Sequence, residues 1–155
     1  MSGNIETRLN DLGVTLPEAP APAANYVPYV QTGNLVYISG QISIGKDGLI
    51  LGKLGENMSD ADGVLAARRC GMGLLAQLKA ACGGDLDRVK RVVKLGGFVN
   101  STPDFTNHPA IINGCSDLMV EVFGADIGSH ARAAVGTVSL PLGVAVEVEG
   151  IFEIA

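Results

Sequence analysis

Residues 129–150 read SHARAAVGTVSLPLGVAVEVEG, a run of small and apolar residues holding one arginine and two glutamates. At a period of two, Arg132 shares a strand face with Ala134, Gly136, Val138 and Leu140. A guanidinium on an apolar face is costly unless something pairs with it. After Pro141 the pattern changes phase: Val144, Val146 and Val148 alternate with Glu147 and Glu149, which reads as a second strand. The two strands are expected to pair as a hairpin about "PLG", with a longer excursion starting at Pro141 as the alternative. A hairpin would bring the glutamate face near Arg132 or near a neighbouring subunit's edge, so that one carboxylate could pair with the arginine. The bland readings are an arginine whose head reaches solvent at the strand entrance, or a structural ion pair.

Working outward, "HPAIINGCSDLMVEVFG" is a helix. Pro109 starts it, Ile111, Ile112, Cys115, Leu118, Met119 and Val122 form its apolar stripe, and Gly124 ends it. "RVKRVVKLGGFVN" reads as a strand with Lys90 and Lys94 on one face and Val93, Leu95 and Val99 on the other. "SDADGVLAARRCGMGLLAQLKAACGG" is the longest helix, capped by Ser59 and stopped at Gly83-Gly84; its internal Gly71 and Gly73 are best explained by close packing on a sheet. "NLVYISGQISI" is a strand, "GKDG" a turn and "LILGKLG" a second strand closing a hairpin. Upstream, "LPEAPAPAANYVPYV" is expected to be extended and irregular, and "IETRLNDLG" a short helix. The order β-β-α-β-α-β-β gives an α+β fold, a mostly antiparallel sheet covered on one face by two helices.

A chain of 155 residues suits one domain. Apolar residues are 47% and charged residues 17%, so a domain this small is expected to cover part of its surface in a closed homo-oligomer. The net charge of −5 argues against wide phosphate contact, making nucleic acid an unlikely partner. Neither a signal peptide nor an apolar run long enough to span a membrane is read in the sequence. Three cysteines without a C-x-x-C pair fit a reducing, cytoplasmic setting and a place in the core. His108 and His130 have no Cys or Asp at ligand spacing, so no metal site is expected; His108 reads as a helix start and His130 as a pocket rim. No Gly-rich phosphate loop follows a strand.

"YVQTGNLVYISGQI", "VVKLGGFVN" followed by "DF", and "HARAAVGTVSLPLGVAVEVEGI" together resemble the Rid, or YjgF-like, family of reactive-intermediate deaminases. The resemblance runs from about Tyr26 to the C-terminus. It makes residues 26–155 a single Rid-like domain and residues 1–25 an extension found in one subgroup. It implies a chorismate-mutase-like α+β subunit, a homotrimer with clefts between neighbours, and hydrolysis of enamines and imines to 2-keto acids and ammonia without a cofactor. The family's catalytic arginine falls on Arg132, its glutamate on Glu147, its tyrosine on Tyr29 and a backbone-lined pocket near Gly40. Arg132 would hold a substrate carboxylate, Glu147 would activate water, and Tyr29 would close an apolar wall. An asparagine of the second helix falls on Asn113 with a three-residue insertion, or on Ser116 without a gap. Many members carry a cysteine at the position of Ala134. The competing readings are a non-catalytic carboxylate binder or chaperone-like trimer and, more weakly, a ribonuclease, which the acidic charge and the lack of a basic aromatic groove disfavour.

Overall fold

The alternation of valine and glutamate near the C-terminus builds a strand with one buried face, and that strand organises the sheet. The computed structural model describes residues 3–19 and 25–155. In chain order the elements are α1 (Asn4–Asp11), β1 (Tyr29–Thr32), β2 (Leu35–Ile42), β3 (Ile44–Gly45), β4 (Gly48–Leu49), α2 (Asp60–Ala81), β5 (Val89–Asn100), α3 (His108–Gly128), β6 (Ala131–Thr137) and β7 (Val146–Ile154). The five-stranded sheet has the order β1-β2-β7-β5-β6. Every neighbouring pair is antiparallel except β5 and β6, which are parallel. A parallel pair needs a crossover, and α3 supplies it. Val146, Val148, Phe152 and Ile154 of β7 are buried beneath α2 and α3, together with Val92, Leu95 and Val99 of β5. The architecture is the expected α+β arrangement, a mostly antiparallel sheet with helices on one face.

The last two strands do not form a hairpin. β5 lies between them, and residues 138–145 carry the chain across its end, so the longer excursion from Pro141 is the one realised. The link is held rather than tightly turned. Lys53 Nζ donates to the Val138 carbonyl (2.5 Å) and to Asn100 Oδ1 (2.7 Å), and Asn100 Nδ2 donates to the Val144 carbonyl (3.1 Å).

Other local expectations also shift. The hairpin about "GKDG" is present but short: β3 and β4 pair Ile44 with Leu49 and Gly45 with Gly48 about Lys46 and Asp47, as a ribbon separate from β2 and the main sheet. The antiparallel partners of β2 are β7 and β1. β1 comes from the stretch expected to be irregular, and a two-residue turn with Gly33 at φ +60° connects it to β2. The middle of that stretch, residues 20–24, lies outside the described residues. In β5 a bulge between Val92 and Lys94 puts Val92, not Val93, fully into the core. Gly124 (φ +80°) breaks α3, but helical structure resumes as far as Gly128.

Ser59 caps α2 as expected, its Oγ accepting from Asp62 N at 3.1 Å. Gly73 does face the sheet, against Gln41 of β2. Gly71 faces α3 instead, where a Cβ would meet Leu118 and Cys115. The N-terminal helix docks on the body. Asp87 accepts from the backbone N–H groups of Asn4 and Ile5, both at 2.9 Å, and Leu9 is buried in the common core. No helix among the described residues is long and apolar enough to cross a membrane.

The second face of the sheet carries no helix, and Val30, Tyr37 and Val135 are all exposed on it. The helix layer, by contrast, is tight: a Cβ at Gly114 of α3 would collide with the Val64 backbone carbonyl of α2. Gly114→Ala is therefore expected to lower stability by about 2–3 kcal/mol. A denaturant midpoint measured at fixed protein concentration checks this.

Candidate functional site

Arg132 sits on β6, the edge strand, in register with Leu95 of β5, so its side chain leaves the sheet on the helix-covered side. It is half-buried there. Two side chains one helical turn apart on α3 meet it: Arg132 Nη1 donates to Asn113 Oδ1 at 2.7 Å and to Ser116 Oγ at 3.2 Å. Both Asn113 and Ser116 thus contact the guanidinium. Ser116 Oγ also lies 2.9 Å from His130 Nε2, and His130 Nδ1 lies 2.6 Å from the Gly128 carbonyl. Among the described residues, none is hydrogen-bonded to Arg132 Nε or Nη2. Cys115 lies close enough to feel this cation, but its burial dominates and pushes the thiol up to about 12. Cys70 is likewise raised by burial, and all three cysteines are free and buried.

Glu147 is elsewhere. It pairs with Phe98 on β5 and Ile42 on β2, and it projects from the face that carries no helix. β5 therefore separates it from β6, and the two side chains leave opposite faces, so no pairing of Arg132 with Glu147 or Glu149 occurs within the chain. Gly40 stands where the β2–β7 register breaks, and a Cβ there would fall 3.0 Å from Glu147 Cδ. The missing side chain lets the Glu147 carboxyl lie against β2. Burial raises the Glu147 carboxyl above its ordinary value, and the neighbouring Glu149 charge raises it further. Beside Glu149, a cavity of about 200 Å³ is lined by Lys94, Phe98 and Ile151.

Tyr29 pairs with Ile38 at the opposite edge of the sheet, half-buried against the core. Four strand spacings separate its strand from that of Arg132, on the order of 19 Å. The five expected residues thus fall into three places: Arg132 with Asn113 at one edge, Glu147 with Gly40 on the free face, and Tyr29 at the other edge.

His108 begins α3 as expected, and its Nε2 lies 3.1 Å from Ser101 Oγ. Lys53 and Asn100 were not singled out in the sequence. A lysine in a loop and an asparagine ending a strand carry no periodic signal, and only the fold brings them together.

The chain's relatives bear on this arrangement. A family model described as "YjgF/chorismate_mutase-like, putative endoribonuclease" matches residues 6–153. The chain belongs to the YjgF/Rid family. Protein TCP17 of Trypanosoma cruzi is 48% identical over 99% of this chain and 96% of its own length. A 2-iminobutanoate/2-iminopropanoate deaminase of Dermatophagoides farinae is 30% identical over 89% of this chain and 92% of its own. A crystal structure of a protein of unknown function from Agrobacterium tumefaciens superposes with a TM-score of 0.90 at 45% identity, covering 97% of this chain and 92% of that one.

A glutamate whose folded value is raised binds its proton more readily in the native state than in the unfolded one. Its contribution to stability is complete below the ordinary value of 4.5 and is lost as pH rises through the raised one. Glu147→Gln removes this dependence. The stability of the variant relative to wild type should therefore rise as pH increases from below 4.5 to neutrality, which urea midpoints across that range will measure.

Proposed function

We propose that this chain hydrolyses small enamine and imine carboxylates to 2-keto acids and ammonia, in a cleft between subunits of a homotrimer. The observation that carries this reading is the held guanidinium of Arg132. Asn113 and Ser116 fix Nη1, while Nε and Nη2, the side-on fork that receives a carboxylate with two parallel bonds, take no bond from the described residues. Glu147, its proton retained to higher pH than usual, suits both halves of the chemistry. It protonates the enamine carbon to give the imine. As a carboxylate it then takes a proton from the water that attacks C2. Glu147 returns that proton to the carbinolamine nitrogen, ammonia leaves as an oxygen electron pair closes the ketone, and the carboxylate takes up the hydroxyl proton. No external oxidant, reductant or cofactor enters the balance.

Within one chain Arg132 and Glu147 cannot share a substrate, and this supports the oligomer. The uncovered face with Val30, Tyr37 and Val135 supplies the apolar surface for it. A neighbour's free face would bring its own Glu147 and Gly40 to the Arg132 edge, and its Tyr29 would close the wall. In this reading residues 26–155 form the catalytic unit and residues 1–25 an N-terminal extension. Three free buried thiols are in keeping with a reducing cytoplasm, and the net charge of −5 disfavours an RNA substrate.

Two measurements test the proposal. Sedimentation should give about 48 kDa, three chains of 15.9 kDa; a monomer would remove the shared cleft. With 2-aminoacrylate or 2-aminocrotonate generated by a dehydratase, wild type should accelerate loss of the imine. Arg132→Ala should lower kcat/KM by about 100-fold or more while the fold survives. No acceleration by wild type with any side chain, together with retained 2-oxobutanoate binding, would identify a carboxylate binder instead.

A further inference from the structure

The bonds behind Arg132 run further than a carboxylate anchor requires. Gly128 ends α3, and its carbonyl is one of the acceptors that a helix C-terminus leaves without a helical donor. A carbonyl only accepts, so the 2.6 Å contact with His130 places a proton on Nδ1. In the neutral ring Nε2 then carries a lone pair, and the Ser116 hydroxyl at 2.9 Å donates to it. With its proton committed to the histidine, Ser116 Oγ turns its own lone pairs elsewhere, and Arg132 Nη1 donates to it at 3.2 Å. With the ring neutral, each bond in the series has one donor and one acceptor, and its direction follows from the carbonyl at the far end. Gly128 is itself locked: a Cβ there would strike the Met119 carbonyl and Val120.

We propose that His130 and Ser116 are positioning residues for Arg132, acting in series: the helix-end carbonyl sets the histidine tautomer, the tautomer sets the serine hydroxyl, and the hydroxyl fixes the guanidinium plane. Asn113 holds the same nitrogen from the other position on α3. Two acceptors on one Nη1 stop rotation about the Nε–Cζ bond, which keeps Nε and Nη2 presented as a fixed fork. Pre-orientation of this kind strengthens ligand capture by lowering the ordering cost. The inference rests on the reading of Arg132 as a carboxylate anchor.

The rival role for His130 is a plain cap on α3, and substitutions separate the two. His130→Asn retains an N–H where Nδ1 stood and loses the acceptor for Ser116. His130→Gln retains an acceptor where Nε2 stood and loses the cap. If the series positions Arg132, KM for the imine and Kd for 2-oxobutanoate rise about tenfold in His130→Asn and stay near wild type in His130→Gln, with kcat changing less than KM. A capping role gives the reverse order and shows it in Tm alone. Ser116→Ala should cost about tenfold, and Ser116→Ala with His130→Asn no more than either alone, because the bonds form one series. Multiplying losses would overturn the proposal.

A ligand-free measurement keeps this test apart from that of the activity. Nitrogen-15 NMR of wild type should show His130 protonated at Nδ1 and slow rotation of the Arg132 guanidinium. That rotation should quicken in Ser116→Ala and His130→Asn but not in His130→Gln. An Nε2–H tautomer, or rotation indifferent to these changes, overturns the series whatever the enzyme does. Slow rotation and the expected tautomer in a protein without turnover would sink the deaminase reading and leave the positioning intact.

Discussion

The sheet depends on one buried amide. Asn100 ends β5 nearly fully buried, and each of its four polar groups has a partner. Its backbone N–H donates to the Ala145 carbonyl, its carbonyl accepts from Leu54, its Nδ2 donates to the Val144 carbonyl, and its Oδ1 accepts from Lys53. A buried polar group so fully satisfied specifies geometry instead of costing stability. Here it fixes the place where the chain passes from one side of β5 to the other. Lys53 completes the node by binding the Val138 carbonyl at the far end of the same link. With that crossing in place, β6 becomes an edge strand parallel to β5, and β7 is sealed between β5 and β2.

This crossing decides what the ionisable side chains can do. It sends Arg132 to the helix-covered side of an edge and leaves Glu147 on the bare face two strands away. A hairpin would have offered the two groups each other. Their separation leaves the arginine fork without a carboxylate from its own chain and keeps the glutamate proton from being drawn off by a nearby cation. Both properties suit a site completed by a second copy of the chain.

The sequence carried the fold class because the signals behind it are local and repetitive. The helical stripe from Ile111 to Val122, the Ser59 cap and the valine alternation of β7 all read directly, and all are seen. What it hid was pairing. Nothing in "PLG" tells whether eight residues turn back or cross a neighbour, because the answer lies in Asn100 and Lys53, far away in sequence. β1 was hidden for a related reason: Tyr29–Thr32 is short and at an edge, and its prolines and alanines upstream suggest no strand. At the candidate site, Arg132 was visible as a cation on an apolar face. The company it keeps on α3 was visible only as far as Asn113 and Ser116, and the histidine behind them only as a neighbour in sequence.

The buried thiols carry a last consequence. An imine of the proposed kind is electrophilic at carbon and adds thiolates. With the Cys115 thiol pushed up to about 12, its reactive anion makes up only about one part in 100,000 at neutral pH, and burial denies even that fraction an approach. In the reading proposed above, the buried thiols would therefore offer a reactive substrate no ready target.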